Sequence, residues 1–196
     1  MAQFRTISAL SEGLYKEKGS RFLAFAYPIQ NEDEAKEYLA VLKKEHPKAR
    51  HICFAYILGA DKSYFKSSDD GEPHHAAGAP ILGQIRSFEL TNVLIAVVRY
   101  FGGTKLGVGG LTAAYKEAAQ MALAASQIIE DIEREKIIVE TDYSGLPELM
   151  NFVKSNNVRI LEQILKDNCV ITLDLAKDNA EIIKSGLIGL KHTRLL

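Results

Sequence analysis

The sequence predicts an α+β protein built from two domains. Strand-like and helix-like segments are interspersed along the 196 residues, a length that suits one large or two small domains. A charged run, EDIEREK at residues 130–136, follows a long helical pattern and precedes a new series of elements. We therefore expect an N-terminal domain over residues 1–132 and a C-terminal domain over residues 133–196.

The composition is that of an ordinary globular protein, with 47% hydrophobic and 25% charged residues. The formal net charge is −1, so any contact with nucleic acid has to come from a local basic patch. Cys53 and Cys169 each lie in an apolar run, which favours buried, reduced thiols. The N-terminus has no apolar signal core, and no run approaches the roughly 18 apolar residues of a membrane span. We expect a cytoplasmic protein without a membrane partner.

The N-terminal elements begin with short strands, which the pattern predicts at residues 4–7, 14–16 and 21–28. Asn31 followed by Glu34 matches a capping box and predicts the start of a helix, which should end before Pro47. The apolar stripe of this helix consists of Ala35, Tyr38, Leu39 and Leu42. Another strand is expected at residues 51–58.

Residues 66–79, KSSDDGEPHHAAGA, predict an exposed loop, because they are polar, punctuated by Gly and Pro, and without periodicity. Loops carry functional residues more often than cores do. A short amphipathic helix should follow this loop. The positions at helical spacing are Ala79, Leu82, Ile85, Arg86 and Glu89.

The N-terminal region is organised around residues 93–114, VLIAVVRYFGGTKLGVGGLTAA. The six apolar residues at 93–98 predict a central strand that is buried on both faces. Five glycines follow, Gly102, Gly103, Gly107, Gly109 and Gly110, and a helical pattern begins near Leu111. A glycine loop before a helix N-terminus lets backbone amides approach an anion, so the segment suits a phosphate or an acidic partner. A tight strand-to-helix connection explains the pattern equally well.

This loop matches neither of the common phosphate signatures. A P-loop needs Lys-Ser or Lys-Thr directly after its second glycine, but Lys105 precedes Gly107. Gly107 and Gly109 begin a dinucleotide pattern whose third glycine position holds Thr112. The pattern alone therefore favours no specific ligand.

The C-terminal region predicts a small ferredoxin-like sandwich. Strands are expected at residues 137–141, 158–165 and 169–175, with helices at residues 146–155 and 180–187. The first helix has Leu146, Leu149, Met150 and Val153 on one face. The resulting β-α-β, β-α order is that of a ferredoxin-like domain.

Three motifs resemble the IMPACT/YigZ family: DDGEP at residues 69–73, AGAPIL at 77–82 and VVRYFGGTKLGVGGL at 97–111. The resemblance covers nearly the whole chain. It implies an N-terminal split βαβ domain of the translation-factor and ribosomal-protein type. It also implies a C-terminal ferredoxin-like domain similar to the fifth domain of elongation factor G.

The resemblance also implies a function in translation. Eukaryotic members resemble translational regulators that carry an additional RWD domain, so their particular partner does not carry over to this chain. For bacterial members the resemblance implies contact with the ribosome or nucleic acid and no established reaction. One departure lies where the family reads Gly-Thr-Ala-Gly, because this chain has His75, Ala76, Ala77 and Gly78.

Cations and aromatic rings alternate around the glycine loop, as RNA backbones and unstacked bases require. They are Arg99, Tyr100, Phe101, Lys105 and Lys116. The structural alternative is that the two rings pack at the strand end and that Arg99 pairs with an acid such as Asp69 or Glu72.

The acids Asp69, Asp70 and Glu72, followed by His74 and His75, would suit a cation or proton transfer. Solvated loop charge explains them equally well. The sequence has no EF-hand loop and no Cys-x-x-Cys pair, and we expect no metal and no other cofactor. It also has no nucleophile elbow and no His-Glu-x-x-His motif, so no catalytic residue is predicted and an enzyme is not the favoured class.

The sequence therefore predicts a non-enzymatic regulator of translation that binds a ribosome, RNA or a translation-associated protein through the Gly-rich and DDGEP loops. Arg99 and Lys105 would bind phosphate and Tyr100 or Phe101 would stack. The glycines named above and the three acids would complete the contact surface. The alternative is an enzyme or sensor whose Gly-rich loop binds a phosphometabolite or nucleotide, with Asp70 or Glu72 handling protons or Mg²⁺.

Overall fold

The computed structural model describes residues 3–196, which form two compact units, Gln3–Asp131 and Ile132–Leu196. Both are of mixed α and β structure. Among the described residues, no helix combines the length and the apolar character that crossing a membrane requires.

The N-terminal unit contains a five-stranded sheet in the order β2-β3-β6-β4-β5, while β1 pairs with β7. In chain order its elements are β1 (Gln3–Ile7), β2 (Ser11–Glu17), β3 (Ser20–Pro28), α1 (Glu32–Glu45), β4 (His51–Leu58), β5 (Tyr64–Ser68), α2 (Gly78–Ser87), β6 (Val93–Tyr100), α3 (Gly107–Ala124) and β7 (Ile128–Ile132). Strand β6 pairs antiparallel with both β3 and β4 and so splits the β3-α1-β4 unit. This is the split βαβ arrangement that the family resemblance implies.

Asn31 is the N-cap of helix α1, as the capping box predicts. The Asn31 side chain accepts a hydrogen bond from the Glu34 N–H at 2.9 Å, and the Glu34 carboxylate accepts one from the Gln30 N–H at 2.8 Å. The helix packs Ala35 and Leu42 against one face of the sheet. Helices α2 and α3 cover the other face, so β6 is buried on both faces, as its apolar run predicts.

The C-terminal unit has the ferredoxin-like topology. Its elements are β8 (Arg134–Thr141), α4 (Leu146–Ser155), β9 (Arg159–Leu165), β10 (Cys169–Ala176), α5 (Lys177–Ile188) and β11 (Thr193–Leu195). The strands are antiparallel neighbours in the order β11-β8-β10-β9. Leu149 and Val153 of α4 and Ile183 and Leu187 of α5 pack into one hydrophobic core with the sheet.

The predicted exposed loop is present at residues 69–75, but its predicted bounds of 66–79 are wrong at both ends. Strand β5 continues to Ser68, Ala76 and Ala77 are fully buried, and α2 begins at Gly78. The sequence misleads because β5 is an edge strand, which carries polar residues without losing its place in the sheet. The charged run at residues 130–136 spans the end of β7 and the start of β8, and both strands are partly exposed there.

Candidate anion-binding site

A cleft of about 440 Å³ is lined by the DDGEP turn, the end of β6 and the start of α3. We call it the α3 cleft, and its walls include Arg50, Glu72, Arg99, Phe101, Lys105 and Gly107. The two motif loops, which are separate in sequence, therefore meet at one place. The register of β4 on β6 sets His51 opposite Arg99, which brings the preceding Arg50 to the same end of the sheet.

Arg99 forms a buried ion pair with Glu72 in the wall of this cleft. Its Nη1 donates to the Glu72 Oε1, and the two side chains are 9% and 4% exposed. The Tyr115 hydroxyl donates to the same Glu72 oxygen at 2.8 Å. Arg99 is therefore paired with an acid, which is the structural alternative given in the sequence analysis. It does not extend into solvent as an unpaired cation.

The ion pair belongs to a larger buried network. The Cys53 sulfur lies 3.0 Å from the Asp69 carbonyl oxygen and 3.3 Å from the Tyr115 hydroxyl oxygen, and its single S–H can donate to either. Burial raises the pKa of the Cys53 thiol to about 12. Burial, followed by the neighbouring Cys53 and Glu72, raises the pKa of Tyr115 well above its usual value. Both groups stay protonated at neutral pH and remain hydrogen-bond donors.

One nitrogen of Arg99 has no partner. The buried Nε–H donates no hydrogen bond within residues 3–196. The guanidinium carbon lies 5.6 Å from the ring centroid of Phe22 and 5.6 Å from that of Phe101. An unsatisfied buried donor costs about 1–3 kcal/mol, so an oxygen that reached this N–H from the cleft would be favoured.

Helix α3 begins in the cleft without a side-chain cap. Its N-cap residue is Leu106, and no side chain among the described residues forms a capping hydrogen bond there. The helix has 18 residues, and its dipole places about half a positive charge at this end. A Cβ added at Gly103, Gly107 or Gly109 would meet no atom within 4 Å, so the backbone is open to a ligand. This arrangement suits an anion.

The five glycines of the motif differ in what they do. A Cβ at Gly102 would lie 1.9 Å from the Gly19 carbonyl carbon, so close backbone packing excludes any side chain there. Gly103 and Gly107 have φ of +90° and +71°, which glycine adopts most readily. Gly109 and Gly110 lie in the first turn of α3, so the loop is shorter than the sequence suggests.

Two cations and one aromatic ring remain accessible at the cleft. Arg50 and Lys105 are exposed, and Phe101 is 53% exposed. Tyr100 does not line the cleft, because its hydroxyl is 2.8 Å from the His46 Nδ1 on another element. Of the two predicted stacking residues, only Phe101 lines the cleft.

Asp69 and Asp70 close the turn rather than extend into the cleft. Three backbone N–H groups bond the Asp69 carboxylate at 2.8 to 3.0 Å, those of His75, Ala77 and Gly78. Burial acts to raise the pKa of Asp69, but these three bonds hold it below its usual value. The Asp70 carboxylate accepts a bond from the Ile52 N–H at 2.7 Å. Of the three predicted acids, Glu72 alone lines the cleft.

Sequence reasoning missed Arg50 as a site residue. Arg50 lies 49 positions before Arg99 along the chain and in no motif. The signal that could have found it is the pairing of two apolar strands, since Arg50 directly precedes the first and Arg99 lies near the end of the second.

Comparisons with known proteins agree with the motifs. The family model of the Impact N-terminal domain matches residues 18–123. An IMPACT family member of Haemophilus influenzae (strain ATCC 51907 / DSM 11121 / KW20 / Rd) is 33% identical over 181 residues, which cover 91% of this chain and 88% of that protein. The IMPACT family member YigZ of Escherichia coli (strain K12) is 40% identical over 108 residues, 54% of this chain and 53% of that protein.

A solved structure extends the likeness to the whole fold. The crystal structure of a hypothetical protein matches with a TM-score of 0.74 at 26% sequence identity. The match covers 100% of this chain and 97% of that one. The two-domain α+β architecture is therefore shared over both units.

Proposed function

The chain belongs to the IMPACT family, and from that premise we propose that it is a non-enzymatic regulator of translation that binds ribosomal RNA in the α3 cleft. The ligand group is a backbone phosphate, with a neighbouring unstacked base on Phe101. The family resemblance supports the link to translation, and the chemistry of the cleft supports the phosphate.

The observation that carries the proposal is the convergence of independent anion-binding groups on one cleft. The uncapped start of α3 at Gly107, the exposed Lys105 and the exposed Arg50 all line it. Helix N-termini bind phosphate through their backbone N–H groups, and exposed cations add a salt-dependent attraction. A formal net charge of −1 makes this local cluster the feature that would recruit RNA.

Arg99 and Glu72 act in this proposal as positioning residues. Because Arg99 neutralises Glu72 inside the wall, the carboxylate does not repel a phosphate that enters the cleft. The buried Arg99 Nε has no partner in the part of the chain that the structure describes and is a donor that a ligand oxygen could use. Phe101 stands beside it, and aromatic stacking of an unstacked base contributes about 1–3 kcal/mol.

Co-sedimentation with ribosomes and separated subunits over a salt series tests the proposal. The variant Arg50→Glu/Lys105→Glu should lose binding, and wild-type binding should weaken as salt increases. The matched control is Lys43→Glu/Lys44→Glu, which makes the same change of charge in the last turn of α1 on the other face of the sheet. Equal binding by both variants would overturn the assignment to the cleft.

The second candidate is a sensor or enzyme for a nucleotide or phosphometabolite. A specific observation favours it, because the cleft volume of about 440 Å³ lies within the roughly 300–1,000 Å³ typical of small-molecule sites. A nucleotide at 100 times its dissociation constant should add about 2.7 kcal/mol to the free energy of unfolding. Such a stabilisation, together with absent ribosome binding at low salt, would favour this candidate over RNA.

A third outcome would indicate a protein partner in place of RNA or a small phosphorylated ligand. If neither ribosomal RNA nor a panel of nucleotides and sugar phosphates binds, while intact ribosomes still do, the contact is with a translation-associated protein. Nuclease treatment of the ribosomes distinguishes this case, because it removes the RNA component of the binding.

A further inference from the structure

The turn that follows Asp69 gathers a second set of polar groups. Asp69, His74 and His75 each offer one ligand atom, and these atoms lie within 4.8 Å of one another. The two imidazole rings have centroids 3.7 Å apart. We propose that this cluster is a binding site for a divalent transition metal of the zinc type, with at least one coordination position open to water. The proposal is independent of RNA binding.

The Asp69 carboxylate is held in place before any metal arrives. Its Oδ1 accepts the N–H groups of Ala77 and Gly78, and its Oδ2 accepts the N–H of His75. Since each carboxylate oxygen has two lone pairs, Oδ2 retains one for a metal. Hydrogen bonds of this kind from outside the coordination sphere orient metal-ligating carboxylates in established sites.

The backbone at His75 is tied to the acidic ligand of the cluster. His75 has φ of +60°, in the left-handed region where glycine is the residue of least strain. The His75 N–H donates a hydrogen bond to the Asp69 carboxylate, which holds the His75 backbone next to the acidic ligand.

The ligand set selects the class of ion. Two imidazole nitrogens and one carboxylate oxygen suit Zn²⁺ and its neighbours, whereas Ca²⁺ and Mg²⁺ prefer oxygen ligands throughout. In a tetrahedral zinc site the ligand atoms are about 3.4 Å apart, given bonds of about 2.0–2.2 Å. Both histidines are exposed, so rotation of their side chains can close the remaining distance and the ion can enter from solvent.

The metal would also act on the neighbouring cleft. Glu72 and Pro73 lie between the ligands Asp69 and His74 in sequence, and both line the cleft. A bound ion would therefore clamp the turn that carries Glu72.

Direct metal binding to the full chain, free of any affinity tag, tests the proposal. Titration with Zn²⁺ followed by calorimetry, and with Co²⁺ followed by visible absorption, should show one equivalent bound. The variant His74→Ala/His75→Asn should lose at least tenfold in affinity for both ions. Asn is chosen at position 75 because it tolerates positive φ.

The matched control is His192→Asn in the C-terminal unit. His192 also has φ of +60°, is exposed, and has its Nδ1 3.0 Å from the Asp142 carboxylate. It thus reproduces a histidine and an acid without the second histidine, and its variant should keep wild-type affinity. Absence of stoichiometric binding by the wild type, or equal affinity in the His74/His75 variant whose metal-free melting temperature is unchanged, would overturn the proposal.

Discussion

Two Arg–carboxylate pairs, one in each unit, share their chemistry and differ in burial. In the N-terminal unit Arg99 and Glu72 are 9% and 4% exposed, whereas in the C-terminal unit Arg194 is 71% exposed and its partner Glu140 is 13% exposed. Removing one partner of a buried pair leaves an uncompensated charge inside the protein, while an exposed partner is simply hydrated. Burial, more than distance, decides how much each pair matters to its unit.

Glu72→Gln should produce the largest loss of stability, because it breaks the buried ion pair with Arg99. It leaves the Arg99 charge without its counterion and weakens the bond from Tyr115. We expect the free energy of unfolding to fall by about 3–5 kcal/mol, measured by urea denaturation. A loss below about 1 kcal/mol would mean that Arg99 escapes to solvent and that the pair is not held by its surroundings.

Gly102→Ala should have the next largest effect, and it separates packing from charge in the same cleft region. The new Cβ would meet the Gly19 carbonyl carbon at 1.9 Å, so the β3 start or the loop must shift. We expect a loss of about 1–3 kcal/mol in the free energy of unfolding, followed by thermal denaturation. Gly109→Ala is the control, since its Cβ meets open space in a helix and should stabilise by about 0.5–1 kcal/mol.

Asp69→Asn tests whether the turn beside the cleft is held by a charged acceptor. The pKa of Asp69 is lowered in the folded protein, so its stabilising contribution is present above the unfolded pKa near 3.8 and is lost as pH falls through the folded value. We expect about 1 kcal/mol less stability at pH 7. The stability difference between variant and wild type should shrink as pH falls from 5 to 2, in urea titrations at each pH. A constant difference would contradict the assignment.

Arg194→Gln probes the exposed side of the comparison and should have the smallest effect. The Arg194 guanidinium bonds Glu140 on the surface of β8 and β11. We expect the urea midpoint of the C-terminal unit to stay unchanged within error at physiological salt, because the Arg194 end of the pair is exposed and its charge is screened. A clear fall would show that this pair is coupled to the Asn168 side chain that also bonds Glu140.

The elements that sequence reasoning could predict are those with a strong apolar pattern. The run at Val93 marks a central strand because only burial on both faces suits it, and Leu149 and Val153 place α4 through their helical spacing. Strands β5 and β11 were missed because they are short and, in β5, mostly exposed, so neither alternates clearly. Their pairing depends on partners elsewhere in the chain.

The candidate site shows the same division. The glycines and Lys105 could be predicted as site residues, because the start of the helix and the cation lie close together in the sequence. The fate of Arg99 could not be settled, because its pairing with Glu72 depends on a loop 27 positions away being folded against the strand. The roles of Asp69 and Asp70 as turn acceptors likewise depend on backbone N–H groups that adopt their positions only in the fold.

Each unit contains one buried cysteine, which can report the local unfolding of that unit. Cys53 is enclosed in the N-terminal unit and Cys169 in the C-terminal unit, and both are free thiols with no exposed surface. An alkylating reagent attacks the thiolate, so each sulfur should react only when its unit opens. Pulse alkylation with mass spectrometry would thus read two separate opening rates from one unlabelled chain and reveal which unit unfolds first.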